Sequence, residues 1–352
     1  MKTFFKHLAF ALLCISCTKN QTIFNAKNIV FDNFEKELSL RAKMFEFDSL
    51  VMAPLGIRHI DSFLLFKHHT GQYFFSIYNL HTNKFIGRFL QNGRGPNEFT
   101  NLAYWDEDIL LNNERWLYMS DINLKKTIKF NLTNYLKTGG IHIETLNQHK
   151  DLQMKTHIIN DSTFLAYMFT QNRNDVRVFY RKYFSTSDKQ EEVNLTVKNI
   201  NDFDEFNKLG GPEQIREDKK KMAKAMTFLN LIYIFDLEEP KNNLTLSPKG
   251  QRHVSLRELV QTGSRQNTMF YLDVRTTQEY IFALFLNQIL EEWQRKPIDI
   301  EIHVFDWNGT PLYKLHIDEH LVNFCIDPVE KVMYAFDHEE NIYQYDLSQI
   351  FQ

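Results

Sequence analysis

The 352-residue sequence is poor in the residues that mark non-globular chains, with only 12 glycines and 8 prolines. This scarcity excludes collagen-like and linker-like classes. No run of roughly 18 apolar residues occurs, which excludes a protein that crosses a membrane several times through helices. An excess of positive charge is also missing, because 41 Lys and Arg stand against 44 Asp and Glu, a net charge of -3. We therefore expect no nucleic-acid partner.

What the sequence does contain is a large supply of core-forming residues. Apolar residues make up 43% of the chain, which is enough for a substantial core. Aromatic residues make up 14%, with 31 Phe and 15 Tyr, and such residues favour pleated strands. These numbers predict a folded, strand-rich protein.

The first residues have the pattern of a bacterial export signal. Lys2 and Lys6 precede an apolar run at 8–15, which has the length of a secretory signal and is too short to span a bilayer. Ser16 and Cys17 follow, and a small residue directly before such a cysteine resembles the lipobox of bacterial lipoproteins. We predict a signal peptide at 1–16, an acylated Cys17 with a tether at 17–21, and a folded domain at 22–352. A conventional signal peptide cut nearby and a buried N-terminal helix are the alternatives.

The three cysteines agree with this prediction. Cleavage would remove Cys14, which stands where lipoproteins usually have leucine, and acylation would occupy Cys17. Only Cys325 then remains, so the mature chain has no intramolecular disulfide. Cys325 lies in the apolar run 322–326, which predicts a buried and inert thiol. Several acyl chains on Cys17 would make membrane lipid a stable partner.

A strand–turn–strand pattern rich in aromatic residues recurs along the chain. Its clear copies begin 48 to 53 residues apart, except for one gap of 116 that has room for a further copy; they start at Phe63, Trp116, Phe164, Tyr280 and Met333. Repeats of this period are typical of propeller blades, since a lone four-stranded sheet cannot bury both faces until it stacks on neighbours. We predict an all-β, six-bladed β-propeller whose fourth blade lies around residues 222–260. A pair of two-sheet sandwiches is the alternative.

Two segments depart from the strand pattern and predict short helical insertions. Residues 212–226 begin with proline and place Ile215, Met222 and Met226 near one helical face, which predicts a surface helix. Residues 286–293 also follow helical spacing and end in Trp293. We expect this second insertion to cap one mouth of the ring, to contact a partner through Trp293, or to pack on its own blade.

Four segments carry a family resemblance: Cys17, the turn at 87–99, and the strand patterns at 304–312 and 342–347. Together they resemble the six-bladed, TolB-like propeller lipoproteins of Bacteroidetes, over nearly the whole chain. The resemblance implies the fold and the lipid anchor, but no catalytic residues, because most members lack an assigned activity. Asn97 replaces the glycine usual in the family's turn, and asparagine tolerates positive φ, so the turn is expected to persist.

The same turn supplies candidate binding residues. Gly93 and Gly95 allow conformations closed to other residues, and Pro96 fixes φ. Arg94 and Glu98 are expected to pair and pin the loop, and a binding interpretation places Arg94 at the mouth of the ring to hold an anionic ligand. The turn lacks the Lys-Ser/Thr ending of a phosphate-binding loop and does not open a helix, which disfavours nucleotides.

Other motifs predict no metal and no cofactor. The string at 316–320 matches the H-x-x-E-H zinc signature, but it lies at a crossing between strands, where no helix would align the two histidines. His68 and His69 are predicted to be exposed at a hairpin turn. A nucleophile elbow, Cys-x-x-Cys, an EF-hand loop and a dinucleotide fingerprint are all absent from the sequence.

The predicted function is binding or scaffolding in the cell envelope through the mouth of the ring and its inter-blade loops. The expected partners are membrane lipid and either an envelope protein, including a sensing or export complex, or a small ligand. The alternative is a propeller-type hydrolase or lyase with a metal or carboxylates in the central channel, which ranks second because the inner-strand candidates are mainly apolar. The residues after Cys17 lack the acidic pair associated with surface export, which favours the periplasmic face of the outer membrane.

Overall fold

A computed structural model describes residues 24–351, apart from 122, 125, 147–155, 161, 173–174, 185–188, 194–199, 253, 264 and 294–299. The side chains at 104–106, 169–172 and 175–177 are also outside the description. The predicted signal peptide, Cys17 and the tether therefore lie outside the described residues.

The described chain forms six radial sheets, as the repeat spacing predicts. Three short strands come first: β1 (Lys27–Phe31), β2 (Lys36–Leu40) and β3 (Lys43–Met44). Blades 1 to 3 follow, in order: β4 (Pro54–Ile60), β5 (Phe63–His68), β6 (Tyr73–Asn79), β7 (Lys84–Gln91); β8 (Leu102–Leu111), β9 (Glu114–Asp121), β10 (Lys126–Asn131), β11 (Ile143–Thr145); β12 (Thr156–Asn160), β13 (Thr163–Asn172), β14 (Asp175–Phe184), β15 (Gln190–Val193).

Blades 4 to 6 complete the ring, in order: β16 (Glu213–Ile215), β17 (Lys221–Ala225), β18 (Ile232–Asp236), β19 (Leu244–Pro248); β20 (Thr268–Thr276), β21 (Tyr280–Ile289), β22 (Ile300–Asp306), β23 (Pro311–Ile317); β24 (Leu321–Asp327), β25 (Val332–Asp337), β26 (Ile342–Asp346). The first strand of each blade is the inner one, and inner strands of neighbouring blades contact each other: β4 with β24, β24 with β20, β20 with β16, and β8 with β12. The fourth blade is present where the sequence leaves room for it, although it begins at Glu213 and so starts earlier than predicted.

Each blade is buried on both faces, so it depends on both of its neighbours for its core. Six clusters of buried apolar side chains lie between successive blades, one at each of the six interfaces. The middle strands supply most of these side chains, which is why the aromatic repeats are so apparent in the sequence. Phe66 and Leu65 of β5, for example, are both fully buried, yet they belong to clusters on opposite faces of blade 1.

The N-terminal strands close the ring from outside. β3 pairs with β26 as the outermost strand of blade 6, so this sheet combines an N-terminal strand with the last strand of the chain. β1 pairs in parallel with β19, and β2 in parallel with β23, which covers the outer edges of blades 4 and 5. Pairing these edges satisfies backbone groups that would otherwise be open to another chain.

Helical structure is limited to short pieces between strands, as predicted. The described residues contain four short helices and one 3₁₀ turn: α1 (Leu132–Thr138), α2 (Phe203–Asn207), α3 (Leu256–Thr262), α4 (Leu290–Trp293) and Pro240–Asn242. The ends of α1 have the capping residues that helices usually have. The side chain of Asn131 accepts a hydrogen bond from the backbone of Asn134 at the start of α1, and Gly139 ends that helix at φ 71°.

The predicted surface helix at 212–226 is wrong. Those residues form the hairpin of β16 and β17, in which Ile215 pairs with Met222 across the two strands. Both side chains are buried between blades 3 and 4, so the apolar positions that suggested a helical face belong to one face of a hairpin. The second insertion is shorter than predicted within the described residues, since β21 continues to Ile289 and only one turn, α4, follows before 294–299.

Candidate binding site at the channel mouth

A polar cavity of about 210 Å³ opens at the carboxyl ends of the inner strands. Blades 1, 2, 4, 5 and 6 all contribute to its wall. The side chains that matter most are polar or charged: Arg58, Glu107, Asp108, Lys219, Arg275 and Thr276. The expectation of mainly apolar inner-strand side chains therefore does not hold at this end of the channel. The contacts described below stabilise the charges there.

Blades 1 and 2 are joined by a shared carboxylate. Asp108 of β8 accepts a hydrogen bond from the guanidinium of Arg58 on β4. Arg115 donates to the other oxygen of Asp108 at 2.8 Å and to Asp61 at 2.7 Å. Alternating charges of this kind keep Arg58 in place at the wall of the cavity.

A second chain of ion pairs crosses from blade 4 through blade 2 to blade 3 and back. Lys219, in the turn after β16, lies 2.6 Å from one oxygen of Glu107, and His157 Nδ1 lies 3.2 Å from the other. His157 Nε2 in turn lies 2.8 Å from Glu213 Oε1. Burial alone would raise the pKa of Glu107, but Lys219 and His157 overcome it and lower that pKa to about 2.

Glu213 also neutralises a buried lysine. Its Oε2 accepts a hydrogen bond from the Tyr180 hydroxyl at 2.7 Å and lies 3.2 Å from the Lys224 ammonium. The Lys224 ammonium stands 3.9 Å from the centroid of the Tyr167 ring, a cation–π contact. The side chains of Glu213 and Lys224 are only 1% and 4% exposed, so each charge depends on the other for compensation.

Blades 5, 6 and 1 are joined in a similar way. Arg275 of β20 donates to the Phe324 carbonyl at 2.7 Å and lies 3.1 Å from Asp273. Asn323 donates to Asp273 at 2.7 Å and accepts from the backbone of Ile57 at 2.9 Å. These bonds hold the inner strands β20, β24 and β4 in a fixed register around the cavity.

His59 and Cys325 complete the wall on the side of blades 6 and 1. His59 Nε2 lies 3.1 Å from Asp327 without reaching hydrogen-bond geometry, and burial lowers the pKa of His59. The Cys325 thiol is buried, and burial raises its pKa to about 12. The predicted burial of Cys325 is confirmed, and a raised pKa is what an unreactive thiol requires.

This arrangement suits binding better than acid–base chemistry. A general acid needs a pKa near the working pH, whereas Lys219 and His157 lower the pKa of Glu107 below its ordinary value. The cavity presents both signs of charge together with amide and hydroxyl groups, and its volume is below the roughly 300–1,000 Å³ of pockets for drug-sized ligands. Among the described residues, no group of three His, Cys, Asp or Glu side chains is placed to hold a metal ion.

Arg94 and Glu98 lie elsewhere, in the crossing from β7 to the amino end of β8. Arg94 is exposed. The expected ion pair between Arg94 and Glu98 is not present among the described residues. The Glu98 carboxylate folds back and accepts from the Gly95 backbone at 2.6 Å. Asn97 adopts φ 63°, as expected, but Gly93 is needed for a different reason: a Cβ there would collide with the Glu98 carboxylate.

Trp293 is only 9% exposed, and its side chain belongs to the core between blades 5 and 6. Its ring packs edge-on against His338 at 4.4 Å and lies 5.7 Å from His320. Its indole Nε1 is buried without a hydrogen-bond partner in the described structure. The structure therefore brings neither Trp293 nor Arg94 to the cavity at the carboxyl ends of the inner strands.

The histidine motifs give one agreement and one correction. His316 lies in β23 and reaches Glu37 of β2 at 3.1 Å, which agrees with a crossing between strands and not with a helical zinc site. His68 was predicted to be exposed and is buried: its Nδ1 lies 2.6 Å from the Met52 carbonyl and its Nε2 lies 2.8 Å from the Ser76 hydroxyl. His69 is exposed as predicted.

The sequence did contain a signal for the charged channel residues that its interpretation missed. The positions 58, 107, 157, 213, 275 and 327 recur every 49 to 62 residues, the period of the blades themselves. Each position is an ionisable residue of an inner strand. A search for polar residues at the repeat period, one strand before each aromatic pattern, would have found them.

Comparison with known proteins agrees with this architecture. Residues 32–329 match the family model described as TolB-like 6-blade propeller-like. A Bacteroides fragilis protein predicted to be exported has a similar structure, with a TM-score of 0.55 at 15% identity over 91% of this chain and 98% of that one. A member of the DUF4221 family from Bacteroides vulgatus has a TM-score of 0.57 at 10% identity over 87% of this chain and 96% of that one. No curated protein matches the sequence.

Proposed function

Because this chain belongs to the TolB-like six-bladed propeller family, we propose that it is a lipid-anchored binding module of the cell envelope that holds a small polar ligand in the channel cavity. The observation that carries the proposal is the cavity itself, where inner-strand side chains from five blades converge. The ion pairs between blades fix those side chains before any ligand arrives, which lowers the entropic cost of binding.

The chemistry of the wall defines the class of ligand. Arg58, Lys219 and Arg275 contribute positive charge, while Glu107, Asp108 and Glu217 contribute negative charge. A strongly anionic or cationic ligand would meet repulsion from one of these sets, and an apolar ligand would strip water from polar groups without replacing its hydrogen bonds. A compact ligand without net charge, such as a sugar or a neutral amino acid, fits both the volume and the polarity.

Thermal unfolding with a panel of small compounds tests this proposal. Monosaccharides and neutral amino acids are compared with citrate, spermidine and indole. At about 100 times its Kd a true ligand stabilises the fold by about 2.7 kcal/mol, which corresponds to a rise in Tm of roughly 4 °C for a chain of this size. Only compounds of the first two groups are expected to give such a rise.

A variant that obstructs the cavity supplies the decisive comparison. Glu217 lines the cavity and is exposed, so Glu217→Trp should block the mouth without disturbing the core and should abolish the shift. Glu35→Trp introduces the same side chain at an exposed site in the chain between β1 and β2 and should retain the shift. A panel with no stabilising sugar or amino acid, or an equal shift in Glu217→Trp, would refute the cavity as the binding site.

The location in the envelope rests on separate support. The pattern ending at Cys17 supports export and acylation, and the similar Bacteroides fragilis structure belongs to a protein predicted to be exported. No helix among the described residues has the length and apolar character needed to cross a bilayer. Several acyl chains on Cys17 would anchor the ring stably to a membrane, and the lack of an acidic pair after Cys17 favours the periplasmic face of the outer membrane.

Fractionation of cells tests the anchor. The natural protein is expected in the outer-membrane fraction, protected from protease in intact cells, with an N-terminal peptide that carries fatty acids on Cys17 by mass spectrometry. Cys17→Ala should abolish acylation, whereas Cys14→Ala should leave it unchanged. An unmodified start at another residue would contradict the anchor and leave the cavity proposal standing.

A further inference from the structure

A second concave surface lies on the opposite face of the ring, where blade 6 meets blade 1. Residues 44–52, which connect β3 to β4, form one side, and residues 339–342 at the β25–β26 turn form the other. We call this surface the seam groove. It lies at the amino ends of β4 and β24, whereas the channel cavity lies at the carboxyl ends of the inner strands, and it encloses about 580 Å³.

Apolar side chains form the exposed part of the seam groove. Met44 is 61% exposed, Leu50 is 82% exposed and Met52 is 60% exposed. Beneath them the ring of Phe47 packs on Tyr78 with a centroid distance of 4.4 Å. Adjacent exposed apolar side chains mark interaction surfaces, and methionine adapts its shape to different partners.

The exposure of these side chains is imposed by the fold. The buried Tyr78 hydroxyl donates to the Leu50 carbonyl at 3.0 Å, and His68 holds the Met52 carbonyl at 2.6 Å. The next residue, Ala53, is kept at φ 45°, a conformation that residues other than glycine rarely adopt. The backbone is therefore anchored while Leu50 and Met52 point into solvent, so a partner would not have to order this segment.

The charge of the seam groove is of one sign. Glu46, Glu339 and Glu340 line it, and no lysine or arginine does. All three glutamates are exposed, and their carboxylates form no ion pair within the described part of the chain. Asp337 fixes the turn that carries two of them by accepting hydrogen bonds from the backbones of Glu339 and Asn341 at 2.8 and 2.9 Å. A cationic partner would find three unneutralised carboxylates beside an apolar floor.

We propose that the seam groove docks a basic, amphipathic peptide segment of a partner protein. Apolar side chains of the segment would cover Leu50, Met44 and Met52, while its lysines or arginines would face Glu46, Glu339 and Glu340. A second copy of this chain is disfavoured, because a two-fold contact through the groove would bring carboxylates against carboxylates. An anionic lipid surface is disfavoured by the same charge. The proposal is independent of the channel cavity.

Fluorescence anisotropy with the predicted folded domain, residues 22–352, tests the proposal. Four probes are compared: a labelled peptide alternating Lys and Leu, the same peptide with Glu for Lys, the same peptide with Ser for Leu, and vesicles of phosphatidylcholine with phosphatidylglycerol. Binding is expected only for the Lys/Leu peptide, and its affinity should fall as salt is raised.

Variants separate the apolar contribution from the charge. Leu50→Ser should weaken the Lys/Leu peptide about tenfold, since it removes a side chain that the peptide would bury. The triple change of Glu46, Glu339 and Glu340 to Gln should weaken it by a similar factor and remove most of the salt dependence. Val329→Ser is the matched control, because Val329 is 83% exposed outside the groove, and it should change nothing.

Each other outcome would overturn the proposal. Equal binding of the Glu/Leu or Lys/Ser peptide would remove the need for combined charge and apolar contact. Binding to vesicles that is lost in Leu50→Ser would make the groove a lipid surface. A dimer in light scattering that Leu50→Ser dissociates would make it a contact between two copies, and failure of all four probes would remove the docking site.

Discussion

Replacing Glu213 by glutamine is expected to leave the Lys224 ammonium buried without a neutralising carboxylate. The two side chains are 1% and 4% exposed and lie 3.2 Å apart. Glutamine preserves the size of the side chain and can still bond to Tyr180, but it carries no charge. The Lys224 ammonium would keep its cation–π contact with the Tyr167 ring, whose centroid lies 3.9 Å away.

The expected loss of stability follows from the burial of the pair. Removing one partner of a buried ion pair costs about 3–5 kcal/mol, because the other charge stays buried without compensation. A chain of this size has an unfolding entropy of roughly 0.7 kcal/mol/K, so Tm should fall by about 4–7 °C. Adding Lys224→Met to Glu213→Gln removes the stranded ammonium and should recover most of this loss.

Denaturant unfolding followed by fluorescence measures these changes. Glu217→Gln is the control, since Glu217 is an exposed carboxylate and its replacement should change stability by less than about 0.5 kcal/mol. The reasoning would be refuted by a loss below about 1 kcal/mol in Glu213→Gln, or by a double variant no more stable than the single one.

Three further predictions concern other parts of the ring. The Cys325 thiol, whose pKa burial raises to about 12, should not react with a disulfide reagent at pH 8 until the protein unfolds, and a stoichiometric reaction in the native state would contradict its burial. Gly93→Ala should destabilise the protein because its Cβ meets the Glu98 carboxylate, and Gly93→Ala combined with Glu98→Ala should be less destabilised than the sum of the two single changes; strict additivity of the measured free energies would contradict the clash. Burial lowers the pKa of His68 below its ordinary 6.5, so the unfolded chain binds the proton more readily. The contribution of neutral His68 to the free energy of unfolding is therefore fully present above about pH 6.5 and is lost as the pH drops below it. His68→Gln should flatten the profile of Tm against pH between pH 7 and 5.

The blade count follows from the sequence because the middle strands are buried on both faces. Strands such as β5 and β21 pack against the preceding blade on one side and the following blade on the other, so most positions in them are apolar. Their aromatic patterns recur with the period of the blades, and that period predicts the number of blades. The position of the fourth blade follows from the same spacing.

The channel residues were harder to predict because the inner strands lack that pattern. β16 has three residues, and one of them is the buried Glu213. Lysine and glutamate are ordinarily exposed, so the run at 217–224 appears from sequence to be a solvated helix. Only the folded ring shows that Lys224 faces Glu213 and that Glu107 belongs to a different blade from its partners.

The pairing of the N-terminal strands could not be predicted from the sequence for a different reason. β1 pairs with β19 across 217 residues of sequence, as Lys27 with Leu244. Such pairing depends on where the blade edges lie in space, and no local pattern in a five-residue strand specifies it. The sequence therefore predicts a propeller but not how its N-terminal strands close it.

A crystal structure of residues 22–352, grown with the compound that raises Tm most, tests the central claim directly. The account predicts density for that compound in the channel cavity, in contact with Arg58, Lys219 or Thr276, and no density there in crystals of Glu217→Trp. Density for the compound beside Arg94 on the opposite face, with the cavity unchanged, would contradict it.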